Sequence, residues 1–279
     1  MDNKIDVSER LEYGADRRGL FRRLNSITDN TLDVSHLFIL KLPPLPSNLK
    51  VLRCSCSQLT TLSELPADLE ELFCHESGIT SLPELPSGLK RLHCYSTPLT
   101  SLPKFPERLE ELICYDTKIT SLPELPHGLE SLLCHSTLLT SLPELPERLE
   151  ELICYDTKIT HLPKLPSGLS YLNCCYCRIK SLPELPVGLT ELHCYETDIT
   201  SLPELPPRLR KLFCFNTPLV NLPYFPSSLQ VLFCNNTNIT SLPNIPAELQ
   251  KLKYHDTYIT SLQELPPELK IIGKITTIS

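Results

Sequence analysis

Residues 81–100 read SLPELPSGLKRLHCYSTPLT, and close variants of this string return every twenty residues, without an insertion, from about 41 to 268. With Ser81 as position one, Leu stands at the second position from Leu42 to Leu262. It also holds the ninth (Leu49 to Leu269) and the twelfth (Leu32 to Leu252). The fifth position is Leu, Phe or Ile, and the nineteenth is Ile or Leu, as at Ile79 and Leu99. Residues 107–120 and 147–160 are identical, both ERLEELICYDTKIT, the mark of recent duplication. A fixed period of this length signals a solenoid, in which each unit buries its apolar side only against its neighbours.

Within a unit, the stretch from the ninth to the fourteenth position, for example Leu109 to Cys114, alternates with period two at Leu112 and Cys114. That predicts a short, half-buried strand. Stacked units then set about twelve strands, from Leu32 to Tyr254, side by side in a parallel sheet roughly 50–55 Å long at about 4.8 Å per strand. The L-P-x-L-P stretch cannot be helix, because its prolines lack N–H groups and hold the preceding residues extended. A polyproline-like convex side follows.

Inward positions include a column of cysteines: Cys54, Cys74, Cys94, Cys114, Cys134, Cys154, Cys174, Cys194, Cys214 and Cys234. A straight column at strand spacing cannot supply four tetrahedral zinc ligands. Parallel neighbours at about 4.8 Å are also too far apart for the Cβ separation of about 3.8 Å that a disulfide needs. Cys is therefore read as a small buried hydrophobe. Cys56 and Cys175 fall on outward positions and are the expected reactive thiols, while Cys174 and Cys177 of a C-x-x-C string point inward.

The order Leu109-x-x-Leu112-x-Cys114-x-x-Thr117-x-Ile119 resembles the hallmark of the leucine-rich-repeat family. The twenty-residue length and the L-P-x-L-P portion are similar to the short bacterial class found in secreted effectors. The Cys- and Tyr-bearing units also resemble repeat proteins of large DNA viruses of amoebae. The resemblance covers residues 28–270 and implies an α/β-type repeat solenoid, mostly β, coiled right-handed with a concave parallel sheet. It implies a helical N-terminal cap over 1–27, repeats over 28–268 and a C-terminal strand or cap over 269–279. Where the family has a hallmark Asn that ties coils together, this chain has Thr97, Ser77 or Cys177, with Leu37 in the first unit. A Thr hydroxyl is expected to serve in its place. Some bacterial members are ubiquitin ligases. With only Lys270 to Ser279 after the repeats, no such activity is expected here.

Alternation sends the thirteenth and fifteenth positions out onto the concave face. The candidate partner-binding residues are Phe73, Tyr95, Ile113, Tyr115, Leu133, His135, Ile153, Tyr155, Tyr195, Phe213, Phe215 and Phe233. Adjacent columns of large apolar groups are expected to form a patch beyond the usual monomer size, of the composition found at interface cores. Beside it runs an acidic band of Glu70, Glu71, Glu110, Glu111, Glu130, Glu150, Glu151 and Glu191, flanked by Asp116, Asp156, Glu76 and Glu196. Lys90, Arg91, Arg210, Lys211, Lys251 and Lys253 lie toward the ends, so a basic protein segment is the expected ligand of the middle.

The net charge of −7 disfavours a general nucleic-acid binder. The N-terminus shows no secretory signal and no stretch approaches a membrane span, so an intracellular protein is expected, in cytoplasm or nucleus, host cell or virion. Glycosylation-type triplets at Asn235 and Asn238 are read as chance. No Gly-rich phosphate loop or distinct catalytic triad stands out, so no enzyme, cofactor, metal or small-molecule substrate is expected. The alternatives are a structural, self-assembling or virion-type component, and a Cys/His metal protein. At the ends, Leu11, Leu20, Phe21 and Leu24 in residues 7–24 are expected to cap the first coil, beside Arg17, Arg18, Arg22 and Arg23. Tyr254 replaces the ladder Cys, and Leu269, Ile271, Ile272 and Ile275 continue a strand pattern through which two copies could pair.

Overall fold

The computed structural model describes residues 12–262 and 265–272. The chain forms two compact units, Met1–Leu138 and Leu139–Ser279. In the first, a helix α1 (Arg17–Asn25) precedes β1 (Thr31–Asp33), β2 (Val51–Arg53), β3 (Glu71–Phe73), β4 (Arg91–His93), β5 (Glu111–Ile113) and β6 (Ser131–Leu133). The second carries β7 (Glu151–Ile153), β8 (Tyr171–Asn173), β9 (Glu191–His193), β10 (Lys211–Phe213), β11 (Val231–Phe233), β12 (Lys251–Lys253) and β13 (Lys270–Ile271). In each unit the strands lie parallel in chain order, position against like position, as Leu92 beside Leu112 and Leu212 beside Leu232. Each unit is therefore a leucine-rich-repeat coil, one strand per twenty residues.

The strands β1 to β12 are three residues long, half the expected length, and β13 two, but the cross-coil bonding extends beyond them. Glu70 and Glu71 both donate N–H to Lys50 O, at 2.8 and 3.0 Å. Past the strand, Cys74 N donates to His93 O at 2.9 Å and Glu76 N to Tyr95 O at 3.0 Å. What ends the strand is the sixteenth position. From His36 to Asp256 it holds a left-handed backbone, φ between 51° and 62°, in every coil. None of these residues is glycine. The conformation costs an L-residue about 1–2 kcal/mol, less for Asn and Asp.

The seventeenth position departs from expectation. Its hydroxyl bonds mainly within its own coil, although Thr157 Oγ1 also meets Cys177 Sγ of the next coil at 3.2 Å. Thr97 Oγ1 donates to Cys94 O at 2.6 Å and Thr217 Oγ1 to Cys214 O at 2.6 Å, three residues back in the same coil. At this position the hydroxyl closes its own turn instead. Cys177 also reaches across to backbone, its thiol 3.4 Å from Cys154 O.

The core is the stack of inward columns. Leu109, Leu112, Cys114 and Ile119 are wholly buried, as are their counterparts in most coils. Each such Leu contributes about 1.5–3 kcal/mol by leaving water. All ten ladder cysteines are buried free thiols. Burial pushes Cys74, Cys114 and Cys214 up to about 12, which keeps them protonated and inert. The L-P-x-L-P stretches carry neither helix nor strand, and each closes with a turn such as Leu89 N to Pro86 O at 3.1 Å.

At the N-terminal end, α1 buries Leu20 and half-buries Phe21 and Leu24. Arg23 Nη1 donates to Asp33 O at 2.7 Å, fastening the helix to the end of β1. Gly14 has φ +93°, and a Cβ there would lie 2.4 Å from Phe38 O, so only glycine permits its bridge to Ile39. At the other end Tyr254 is buried in the ladder position, and β13 lies against β12. Leu11 and Ile275 lie outside the described residues. Among the described residues no helix is long and apolar enough to cross a membrane.

Candidate functional site

With the twelfth and fourteenth positions turned inward, the eleventh, thirteenth and fifteenth share the outer face of each sheet. Coil spacing near 4.8 Å is close to the separation of stacked rings, so aromatic residues in one column can lie face to face. In the first unit they do. His75, Tyr95, Tyr115 and His135 stack in series with centroids 4.2, 4.4 and 4.3 Å apart and planes within 13°. In the thirteenth column beside them, the Arg53 guanidinium sits 4.1 Å over Phe73, which meets His93 edge-on at 4.7 Å. Ile113 and Leu133 continue that column, half-exposed.

In the second unit the thirteenth column runs Ile153, Asn173, His193, Phe213, Phe233. His193 stacks on Phe213 at 4.4 Å, and Phe213 meets Phe233 edge-on at 5.2 Å. In the fifteenth, Tyr195 stacks on Phe215 at 4.2 Å, while Tyr155 lies one coil before Cys175.

Every candidate binding residue therefore lies on an outer strand face, but the apolar surface is less open than its composition predicts. Eleven of the twelve are half-buried, and Phe73 is only 8 % exposed because Arg53 and His93 cover it. Neighbours in a column shield one another's ring faces. Among the described residues the most exposed large apolar groups lie elsewhere, at Tyr224 (80 %), Val187 (68 %) and Phe38 (59 %). Most coils have polar residues at the positions of Tyr224 and Val187, so periodicity carries no signal for these two.

Cys175 corrects an expectation. Although on an outward position, it is wholly buried, and burial pushes its thiol up to about 12. Tyr195 of the next coil lies against this small side chain. Cys56 keeps partial exposure, and burial followed by the nearby Glu76 raises its thiol.

The acidic band is partly neutralised from within. Glu70 bonds Lys90 at 2.8 Å and Lys50 at 2.9 Å, and these hydrogen bonds lower it to about 2. Arg91 bridges Glu71 at 2.8 Å and Glu111 at 3.4 Å. Burial alone would raise Glu191, but Lys211 at 2.9 Å and His193 at 2.6 Å outweigh it and leave it lowered. His93 Nε2 is 3.2 Å from Glu111 without an aligned hydrogen bond, and burial pushes this imidazole down despite that carboxylate. Exposed carboxylates remain: Glu110 and Asp116 in the first unit, Glu150 and Asp156 in the second.

Among solved structures, YopM from Yersinia enterocolitica WA-314 is 29 % identical, with a TM-score of 0.70 over 94 % of this chain and 68 % of that one. A Shigella effector leucine-rich-repeat domain is 30 % identical, with a TM-score of 0.54 over 59 % of this chain and 79 % of that one. At 17 % identity, a chain of the octameric complex of latrophilin 3, Unc5D and FLRT2, the last as its leucine-rich-repeat domain, shares the fold. Its TM-score is 0.70 over 88 % of this chain and 90 % of that one. No family model matches the chain, and no curated protein does. A coil of twenty residues with this hallmark, shared at 30 % identity with the Shigella domain, defines the class: the chain belongs to the leucine-rich-repeat family. Its similarity is to the short-repeat bacterial effectors.

Proposed function

We propose that this chain is a non-enzymatic scaffold that binds a partner protein through the outer strand faces of its coils. The observation that carries this reading is the pair of adjacent columns in each unit, where rings and aliphatic groups are pre-stacked yet left half-open. Side chains already held by their neighbours lose little freedom on binding, which is what makes rigid aromatics effective anchors. The presence of a leucine-rich-repeat domain in the octameric complex above supports the same use of the fold. The exposed pairs Glu110 with Asp116, and Glu150 with Asp156, flank the apolar columns and favour a partner segment that is basic at its edges. The paired carboxylates contribute less to this, since Lys and Arg of adjacent coils already answer them.

The test is capture of a partner from cell extract by the intact chain, repeated with Ile153→Asp and Phe213→Asp combined. Both residues lie on the outer face, so the double variant should fold with unchanged circular dichroism and lose the captured protein. Undiminished capture by a folded double variant would remove the outer face from the reading.

A further inference from the structure

At the N-terminal end of the first unit's ring stack, three side chains meet in an arrangement that neither the core nor the stack requires. Cys56, His75 and Glu76 each offer a ligand atom, and these three atoms all lie within 4.8 Å of one another. Among the described residues, no other three His, Cys, Asp or Glu groups approach so closely. We propose that this cluster is a divalent-metal site with zinc as its ion, held by the Cys56 thiolate, a His75 ring nitrogen and a Glu76 carboxylate oxygen, with a fourth position left to solvent.

The fold creates the cluster. Cys56 and Glu76 are sixteenth-position residues of adjacent coils, both at positive φ (53° and 52°). Their thiol and carboxylate already meet, Sγ to Oε2 at 3.5 Å. His75 is the first ring of the stack. Its orientation is fixed twice, by the Tyr95 face 4.2 Å away and by Ser55 Oγ 3.0 Å from Nδ1. Held rings of this kind are what metal sites use to aim an imidazole.

The donor set is one sulfur, one nitrogen and one oxygen. Such a mixture suits borderline-soft zinc, and three protein ligands with one open position is a recognised zinc arrangement. Ligands of a tetrahedral zinc stand roughly 3.5 Å apart, given bond lengths of about 2.0–2.3 Å, so small side-chain adjustments close the cage. Binding deprotonates Cys56, whose proton passes to solvent, and it uses His75 in its neutral form. Burial favours that neutral form by pushing the imidazole down. The inward cysteine ladder could never form such a site, because a single column offers only two near neighbours. This cluster escapes that limit by combining two columns, the fifteenth and the sixteenth.

The full chain, expressed without a histidine tag and kept reduced, should be titrated with cobalt(II) as a spectroscopic stand-in. The expected result is a near-ultraviolet thiolate-to-cobalt band that saturates at a single equivalent per chain and disappears when zinc is added. Cys56→Ser should abolish the band, and His75→Gln or Glu76→Gln should weaken cobalt binding by roughly tenfold or more. Zinc should raise the melting temperature of the parent chain and leave that of Cys56→Ser unchanged. Melting curves of the metal-free variants verify that each is folded. The proposal is overturned if the folded parent chain gives no band with metal in excess. It is equally overturned if the band survives in Cys56→Ser.

Discussion

The fifteenth column is built differently in the two units. In the first, four rings from His75 to His135 stack without a gap. In the second, Cys175 and Asn235 interrupt the series, leaving Tyr195 and Phe215 as a stacked pair. Both interrupting side chains are buried, and Asn235 Oδ1 has no hydrogen-bond partner. Rings one coil apart stack at 4.2–4.4 Å in both units, so spacing permits a ring stack but does not create one. Which residue occupies each rung decides whether the outer face is a rigid ridge or a row of separate groups. The inward columns show no such difference: Leu112 with Cys114, and Leu212 with Cys214, are all wholly buried.

The largest expected effects test that equality. Leu112→Ala and Leu212→Ala should each cost about 2–5 kcal/mol in urea unfolding, and the two values should agree closely, because Leu at the ninth and twelfth positions and Cys at the fourteenth surround both sites. A clear inequality would mean that the outer columns reach through the sheet to stiffen the core of one unit.

A smaller effect separates the outer columns. Tyr115 has a ring on each side, at 4.4 and 4.3 Å, whereas Phe215 stacks on Tyr195 alone at 4.2 Å. Stacked pairs contribute about 0.5–1.5 kcal/mol each beyond their buried area. Tyr115→Ala should therefore destabilise more than Phe215→Ala, by about one such pair. Equal losses would show that the four-ring series adds no cohesion.

These contrasts also mark what the sequence makes legible. A twenty-residue period fixes which positions face in, because Leu112 and Cys114 can be buried together only on one side of a strand. It likewise places Ile113 and Tyr115 outward. It does not reveal how side chains one coil apart cover one another, since that depends on residues twenty positions away. Hence Phe73 is less open than its column implied, and Cys175 is sealed where a reactive thiol was expected. The left-handed sixteenth position was also hidden. Asp116, Asp156 and Asn216 favour that backbone, but Glu76, Tyr176 and Cys56 adopt it too and blur the pattern. The meeting of Cys56, His75 and Glu76 depends on both effects at once, which is why no linear motif announces it.

The smallest expected effect concerns acid, and it too distinguishes the stacks. His75 begins the first unit's series, while the Tyr195–Phe215 pair has no titrating imidazole. Burial holds both His75 and the neighbouring His93 below the ordinary value of 6.5, against the opposing pull of Glu76 and Glu111. A histidine depressed in the folded state is protonated first in the unfolded chain. Its stabilising contribution is complete above pH 6.5 and is lost as pH falls toward the folded-state value. The metal-free protein should thus melt at progressively lower temperature as the buffer is taken below that point. His75→Phe, which keeps a flat ring against Tyr95, should flatten part of the slope, and adding His93→Phe should flatten more. Tyr195→Phe in the second unit should leave the slope as it was. An unchanged slope in the His75→Phe, His93→Phe protein would place the acid sensitivity outside the first unit's outer columns, and the two stacks would then differ in rigidity alone.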